Sequence, residues 1–492
     1  MRLLGFVLVA AFLASASPGA ADAAVRPTLE RLDVPRELRV VSYYPADAGW
    51  TRMWEPWRPQ RLAADLRRLR GLKANTVRVV VPAHFFGYPV PERPRLARLA
   101  AFVGLAAASG LHVHLTLFDW WGEYRDVAGS KRWARAVLAP YVGDPRVAFV
   151  ELKNELDSAD PAAVAWAGEL VPWLRDYLRG GTPVTLSVGG AEPVRDLRAL
   201  VAALPARARP DFFDAHYFTG GGEPAERVFA ALRDVAAPTP LWIGELGYPT
   251  TTARSGYWGV PRTPSSQEAA QAHFLRLCFT ALARLGLPPP GVWILDDFAP
   301  GAIPESDVDG RDEQYRFGLF RADGSQKPAA SVVRRLFGGR SETGFNGGFE
   351  ASVLAEDGTP VPALWGSAGE LRLVRDTTTA RSGRASARIV GPTDRSGRFH
   401  VTPVTGPVRR GRAELSAWLR GHEATIRVGL AWLDADGRRV GWSWVSVPAG
   451  NRWRRAVVRA RPPAGAAYAQ VVIESRRLTG SAWVDDVAFS WR

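Results

Sequence analysis

FVELKNELD (149–157) places Glu151, Lys153, Glu155 and Asp157 at every second position of a run that otherwise reads as a strand inside a protein. Strand side chains alternate between faces, so the first three of these charges share one face. A purely structural core strand has no use for that pattern, and its neighbours in the sequence decide what it means.

Similar short runs recur along the first two thirds of the chain: LRVVSYY from Leu38, TVRVVV from Thr76, LHVHLTLF from Leu111, VAFVELK from Val147, PVTLSV from Pro183, FFDAHYF from Phe212, PLWIGEL from Pro240 and GVWILDDF from Gly291. Amphipathic helical segments fill the gaps, among them PQRLAADLRRLRGL and PAAVAWAGELVPWLRDYLRGG. Gly71-Leu72, Gly110-Leu111 and Gly286-Leu287 read as left-handed helix ends that feed the next strand. Asp160-Pro161 reads as a helix start, and Ser265 with Glu268 as a capping box. Eight alternating units predict an α/β fold, a (β/α)8 TIM barrel over residues 30–340. No glycine-rich phosphate loop follows the first strand, which argues against a doubly wound sheet.

After GGRSETGFNGGFE the pattern changes to short alternating strands, such as AELSAWLR, TIRVGLAWLD, RWRRAVVRA, AQVVIES and AWVDDVAFSWR. Residues 343–492 are therefore expected to form an all-β, jelly-roll-like sandwich.

The chain has 492 residues and a formal net charge of +14, but only four of its 63 basic residues are lysine, and the arginines are scattered. The charge is read as a surface property and not as a nucleic-acid footprint. Residues 1–23 read as a signal peptide, with cleavage after Ala16 or Ala23, and imply a secreted or periplasmic protein; a retained amino-terminal anchor is the competing reading. No later run is apolar enough to span a membrane. The single cysteine, Cys278, excludes an internal disulfide and reads as a buried apolar side chain.

Barrel enzymes carry their chemistry at the carboxyl ends of the strands. Those ends offer Arg78 on the second strand and Asp119, Trp120 and Trp121 after the third. Asn154 and Glu155 follow the fourth, His216 and Tyr217 sit on the sixth, Glu245 on the seventh, and Trp293, Asp296 and Asp297 on the eighth. Two opposed carboxylates, Glu155 and Glu245, are the minimum equipment for cleaving a glycosidic bond. Glu151 and Lys153 read as a buried ion-pair network, and Asp157 as a solvated loop residue.

ELKNE at the end of the fourth strand and WIGELG at the end of the seventh resemble the paired signatures of clan A glycoside hydrolases, nearest to family 5 of the cellulase and mannanase type. FGLFRADGSQKPA resembles that family's turn before its last helix. The resemblance implies a retaining hydrolase of β-linked polysaccharide, of β-mannan or β-glucan type, with Glu155 as general acid/base and Glu245 as nucleophile. It also implies that Arg78 keeps Glu245 ionised, that desolvation raises the proton affinity of Glu155, and that Asn154 binds the sugar 2-hydroxyl. Trp293 would floor the sugar, with His216, Tyr217 and Trp120 as further substrate contacts. The chain departs from the family at His216-Tyr217-Phe218: alternation turns Phe218, and not Tyr217, inward, so the phenol that touches the nucleophile in that family is either absent here or supplied by Tyr248. FDWWGEY stands where the family carries a histidine, and Asp119, Trp120 and Trp121 would form a sugar-binding rim.

NGGFE (346–350) and WVDDVAF (483–489) resemble the bracketing motifs of carbohydrate-binding modules, which implies a structural calcium on Glu350 and Asp485 or Asp486. Catalysis needs no cofactor in this reading. The partners are a polysaccharide or oligosaccharide and no nucleic acid, and the protein acts as a monomer. Of Trp418, Trp432, Trp442, Trp444 and Trp453, most are expected in the sandwich core. Two other readings stay open. One is a metal-dependent hydrolase using His112, His114, Lys153, His216 and Asp296; the other is a sugar-binding protein without turnover.

Overall fold

The computed structural model describes residues 29–492 except 180, 190–191, 219–224, 253–263, 305–310, 340–345, 356, 364, 402–405, 409–410 and 435–437. The leader segment lies outside the described residues. Among them, no helix is long and apolar enough to cross a membrane.

The first six of the eight expected strands form as β1 (Val40–Ser42), β2 (Thr76–Val80), β3 (His112–Thr116), β4 (Val147–Glu151), the pair β5 (Val184–Thr185) and β6 (Ser187–Val188), and β7 (Phe213–Phe218). The seventh is β8 (Leu241–Gly247). All pair in parallel, in the order β1-β2-β3-β4-β5 and β6-β7-β8. The fifth expected strand is broken at Leu186, but Leu152 N–H to Thr185 and Ser187 N–H to Lys153 carry the ladder across the break.

The eighth expected strand is not regular. Val292 alone bridges Val41 on one side and Leu246 on the other, and backbone bonds from Gly291, Val292, Trp293 and Leu295 close the ring. Helices cover the outside, including 59–71, 161–177, 264–284 and 328–337.

Inward-facing side chains fall into two layers, which answers the charged strand. The amino-terminal end is plugged by Leu38, Val40, Phe149, Phe212 and Trp242. Above this plug lie Arg78, His114, Thr116, Glu151, Asp214 and His216, all at most 2% exposed. Cys278 is fully buried, as expected, and burial pushes its thiol well above the ordinary value.

Two local expectations change and one is met. Gly110 and Gly286 take the left-handed conformation, but after the 59–71 helix that conformation falls on Lys73. Asp160 caps its helix by accepting from Ala162 N–H at 2.8 Å. Ser265 Oγ accepts from Leu354 N–H, and Glu268 is taken by Arg321 at 2.7 Å.

Past the barrel, two antiparallel sheets face each other around Phe399, Leu415, Ile426, Trp432, Val471 and Val484, with a two-stranded hairpin at 352–362. All five quoted strand stretches form, and further strands form between 352 and 407 and at Arg439–Ala449. Only Trp432 of the five tryptophans is buried; Trp418, Trp442, Trp444 and Trp453 are half-buried. Trp442 and Trp444 stack on each other at 4.6 Å, because their strand is a sheet edge with one wet face.

Candidate active site

Arg78 organises the site. Its guanidinium donates to Glu151 Oε2 at 2.9 and 3.0 Å, to Thr116 Oγ1 at 2.8 Å, to Asn154 Oδ1 at 2.7 Å, and to Glu245 Oε1. One cation thus ties β2, β3, β4 and β8 together. A planar fork with five donors can do this, and a lysine cannot. Glu151 also accepts from Thr116 at 2.7 Å and meets His114 Nε2 at 3.1 Å. Burial disfavours its charge, but Arg78 and then His114 hold it well below the ordinary carboxylate range. The buried ion-pair expectation is met at Glu151. Lys153 instead donates to the Asn154 carbonyl at 2.6 Å and sits among the charges of Asp119 and Glu155, its pKa lowered by burial.

Glu155 lies just past β4 in the left-handed conformation (φ 47°), with its N–H bonded to Ser187 Oγ at 2.8 Å. A Cβ on Gly189 would overlap its carboxyl group, so that glycine makes room for it. His216 Nδ1 lies 2.9 Å from Glu155 Oε1 and 3.6 Å from Glu245 Oε1. The two carboxylate oxygens are therefore no further apart than the sum of those legs. Glu155 is 42% exposed and Glu245 only 7%, which sets one toward solvent and the other beneath it.

The charges run opposite to the sequence expectation. Desolvation pushes Glu155 up, but the His216 hydrogen bond and the charges of His216, Arg78 and Lys153 outweigh it, so its pKa lies below the ordinary value. Burial pushes Glu245 up and prevails over the pull of His216 and Arg78, with Glu155 and Glu151 adding to the rise. Burial pulls His216 down, yet the Glu245, Glu155 and Asp214 carboxylates raise it to about 9. At neutral pH the cation between the carboxylates is an imidazolium.

Around the mouth, Asn154 Nδ2 donates to Asp119 Oδ1 at 3.0 Å, so Asp119, 4% exposed, orients Asn154 instead of forming a rim. Trp293, Trp50 and Tyr44 cluster with centroids 5.1 to 6.2 Å apart. Trp120, 41% exposed, lies against Trp50 at 6.1 Å. Trp121 is buried against Phe118 and Tyr88 and belongs to the core.

Tyr217 is not at the site. It packs outward on Phe229 and Phe274, as the strand alternation demands. Tyr248 sends its hydroxyl to Gln267 at 3.2 Å and supplies no substitute phenol. Asp296 is held by Arg68 at 2.7 and 2.9 Å, and Asp297 by Lys327 at 2.7 Å, both ion pairs to the outer helices. His112 Nδ1 lies 2.8 Å from the Pro145 carbonyl oxygen, so the ligand set of the metal-hydrolase reading is not gathered. Asp157 is an exposed loop residue that accepts from Ala159 N–H.

No family model matches the chain, and no curated relative does. Among solved structures it is similar to an exo-β-1,4-mannosidase from Opitutaceae bacterium strain TAV5, with TM-score 0.50 and 18% identity over 64% of this chain and 61% of the mannosidase, less than two thirds of that protein's length. It is equally similar to a GH5_18 protein from Bifidobacterium longum subsp. infantis, with TM-score 0.50 and 18% identity over 66% of this chain and 84% of the other. The likeness is one of fold: the barrel is built like the barrels of these two proteins. In that fold Glu155 and Glu245 stand at the carboxyl ends of β4 and β8, facing one another across His216.

The sandwich carboxylates are satisfied by N–H donors. Glu350 Oε1 accepts from Arg384 N–H at 2.7 Å, Asp485 Oδ2 from Arg381 and Ser382 N–H at 2.7 and 3.2 Å, and Asp486 takes the Arg381 guanidinium. As they stand these oxygens do not fit a calcium ion, because hydrogen bonds already tie them to the 381–384 segment. Among the described residues, the one group of three or more ligand-type side chains close enough to hold a cation is Glu151, Asp214 and His216. Asp214 was not singled out in the sequence. Its signal was its place two residues before His216 on the inward face.

Proposed function

We propose that the chain is an exported retaining glycoside hydrolase that cleaves β-linked mannan- or glucan-type saccharides by double displacement, with Glu155 as acid/base and Glu245 as nucleophile. The observation that carries this reading is the suspension of both carboxylates on one imidazole nitrogen at 2.9 and 3.6 Å. Retaining enzymes hold their carboxyl groups about 5–5.5 Å apart, whereas inverting enzymes need about 6.5–9.5 Å to seat a water. The two legs from His216 cap the separation of those two oxygens at the lower edge of the inverting range, which favours the shorter spacing.

In the first step Glu245, held by Arg78, attacks the anomeric carbon while a proton passes to the departing oxygen. That proton begins on His216 and not on Glu155. It travels along the 2.9 Å hydrogen bond to Glu155 as the bound sugar displaces water from the exposed carboxyl. Asn154, fixed by Arg78 and Asp119, presents its amide to the sugar. Trp293, Trp50 and Trp120 offer apolar faces for stacking. Water then adds to the covalent adduct, and Glu155 returns its proton to His216.

The half-buried Trp442–Trp444 stack on the sandwich suits a sugar-binding face, in keeping with a carbohydrate-binding role for residues 343–492. The reading is tested by incubating the protein with β-mannans, β-glucans, xylans and the corresponding aryl glycosides, with Glu245→Gln as control. Hydrolysis by the wild type alone supports it. Equal rates in both proteins, or no turnover on any substrate, sink it.

A further inference from the structure

In a two-sheet sandwich, side chains that point away from the opposite sheet meet water and are ordinarily polar. One outer face here breaks that rule. It belongs to the sheet that contains Arg395–Val401, Tyr468–Leu478, Ala424–Leu433 and, at its edge, Arg439–Ala449. Ile426, Val428, Leu430 and Trp432 point inward to the sandwich core. The alternate positions point the other way, and Ala431, Leu433, Tyr468 and Val472 bury one another in a second apolar cluster apart from that core. Trp442 and Trp444 pack on this cluster from the edge strand and stay half-buried. Gly429 lies opposite Trp444 in register, and a Cβ there would run into the Trp444 ring, so the glycine gives the indole its seat on the sheet. An apolar patch on a wet face, rimmed by polar groups, marks a surface that meets a partner.

The rim is arginine. Glu474, on the same face, takes Arg398 at 3.2 Å and Arg476 at 3.0 Å, with Arg427 at 3.7 Å. Three guanidinium groups thus share one carboxylate, and the Arg398 and Arg476 side chains remain 43% and 57% exposed. Arg398 and Arg439 also stand over Trp442, 5.1 and 4.8 Å from its ring centroid. Positive charge and aromatic surface therefore adjoin. A stacking platform alone suits a neutral glycan. Guanidinium forks beside it suit a glycan that bears carboxylates, which they meet in two parallel hydrogen bonds. A nucleic acid would call for a long basic track along its phosphates, whereas this cluster is compact and has a carboxylate at its centre.

We propose that this outer face binds an acidic polysaccharide of the polyuronate class, with a uronate ring stacked on Trp442 and Trp444 and its carboxylate paired with Arg398 and Arg439. The proposal rests on the carbohydrate-binding role given to residues 343–492 and goes beyond it by naming the class of saccharide. It does not depend on what the barrel cleaves.

The test measures binding of the full chain to sodium alginate, a polyuronate, beside neutral galactomannan and double-stranded DNA, by affinity electrophoresis. Wild type is compared with Trp442→Ala, Arg398→Ser and Arg195→Ser, each checked for its fold by circular dichroism. Arg195 lies on the Pro193–Ala203 helix of the barrel with its side chain 69% exposed, so its replacement removes the same charge from another surface. Expected is alginate binding by the wild type that weakens as salt rises. Trp442→Ala should weaken it at least about threefold and Arg398→Ser about two- to fivefold, with Arg195→Ser unchanged. Galactomannan bound as tightly as alginate overturns the acidic ligand and leaves the sugar-binding role standing; retention of neither glycan overturns both. DNA bound as tightly as alginate overturns the proposal, as does alginate binding that a folded Trp442→Ala protein keeps in full or that Arg195→Ser weakens as much as Arg398→Ser. Those results would reduce the attraction to the net charge of the chain. Should Trp442→Ala fail to fold, the comparison of Arg398→Ser with Arg195→Ser decides.

Discussion

Replacing Arg78 by methionine removes the one cation that reaches Glu151, Asn154 and Glu245 together. Glu151 is fully buried, and without Arg78 its carboxylate keeps only the Thr116 hydroxyl and His114. Breaking a buried ion pair from one side costs about 3–5 kcal/mol, because the remaining charge is stranded. For a domain of this size that corresponds to a fall in Tm of roughly 5–8 °C, measured by circular dichroism or calorimetry. Chemistry suffers as well. Burial already lifts Glu245, and Arg78 is one of the two charges that oppose it. Its loss raises the Glu245 pKa further, so the acid limb of kcat/KM moves to higher pH and activity at neutrality falls. Arg78→Lys retains a charge but not the fork, and should recover part of the stability and little of the rate. An Arg78→Met protein that melts within about 1 °C of wild type and keeps its acid limb would refute the reasoning.

Other outcomes follow from the same contacts. Gly189→Ala puts a methyl into the space of the Glu155 carboxyl group; Glu155 can swing into solvent, so turnover should drop at least tenfold in steady-state assays with Tm nearly unchanged. Trp120→Ala removes an exposed stacking face and should raise KM about two- to tenfold with kcat and Tm nearly constant. Thermal stability should fall as pH rises from 6.5 through 9. The His216 pKa is raised to about 9 in the fold, so its contribution is complete below 6.5, is lost through 9, and is worth up to about 3 kcal/mol. His216→Asn should flatten that slope. On the acid side, burial lowers His114 to about 4, so its neutral form contributes stability above 6.5 that is lost as pH falls toward 4. His114→Phe should soften the acid decline in Tm.

Much of the barrel could be read from the sequence because each strand–helix unit repeats a local pattern. The irregular parts could not. The Gly291 run looks like a strand by composition, yet it forms only isolated bridges, at Val292 to its barrel neighbours and at Asp296 to Phe320, and Asp296 and Asp297 are drawn out to Arg68 and Lys327. Glu155, Glu245, Arg78, Asn154 and His216 converge as their positions at strand ends imply. Tyr217 and Trp121 do not, because alternation on β7 and the loop after β3 turn them into the core. The proton balance is not legible for a different reason: a pKa in this site depends on four carboxylates around two cations, and no single stretch of sequence contains them. Asp214 looks, in one dimension, like any polar residue inside a strand.

The central claim is double displacement at two carboxylates that share one histidine. It is tested most directly by following the first turnovers of a cleaved β-glycoside by proton NMR before mutarotation sets in. The account predicts that the β-anomer of the product appears first. Initial release of the α-anomer would contradict it, whatever the rate of cleavage.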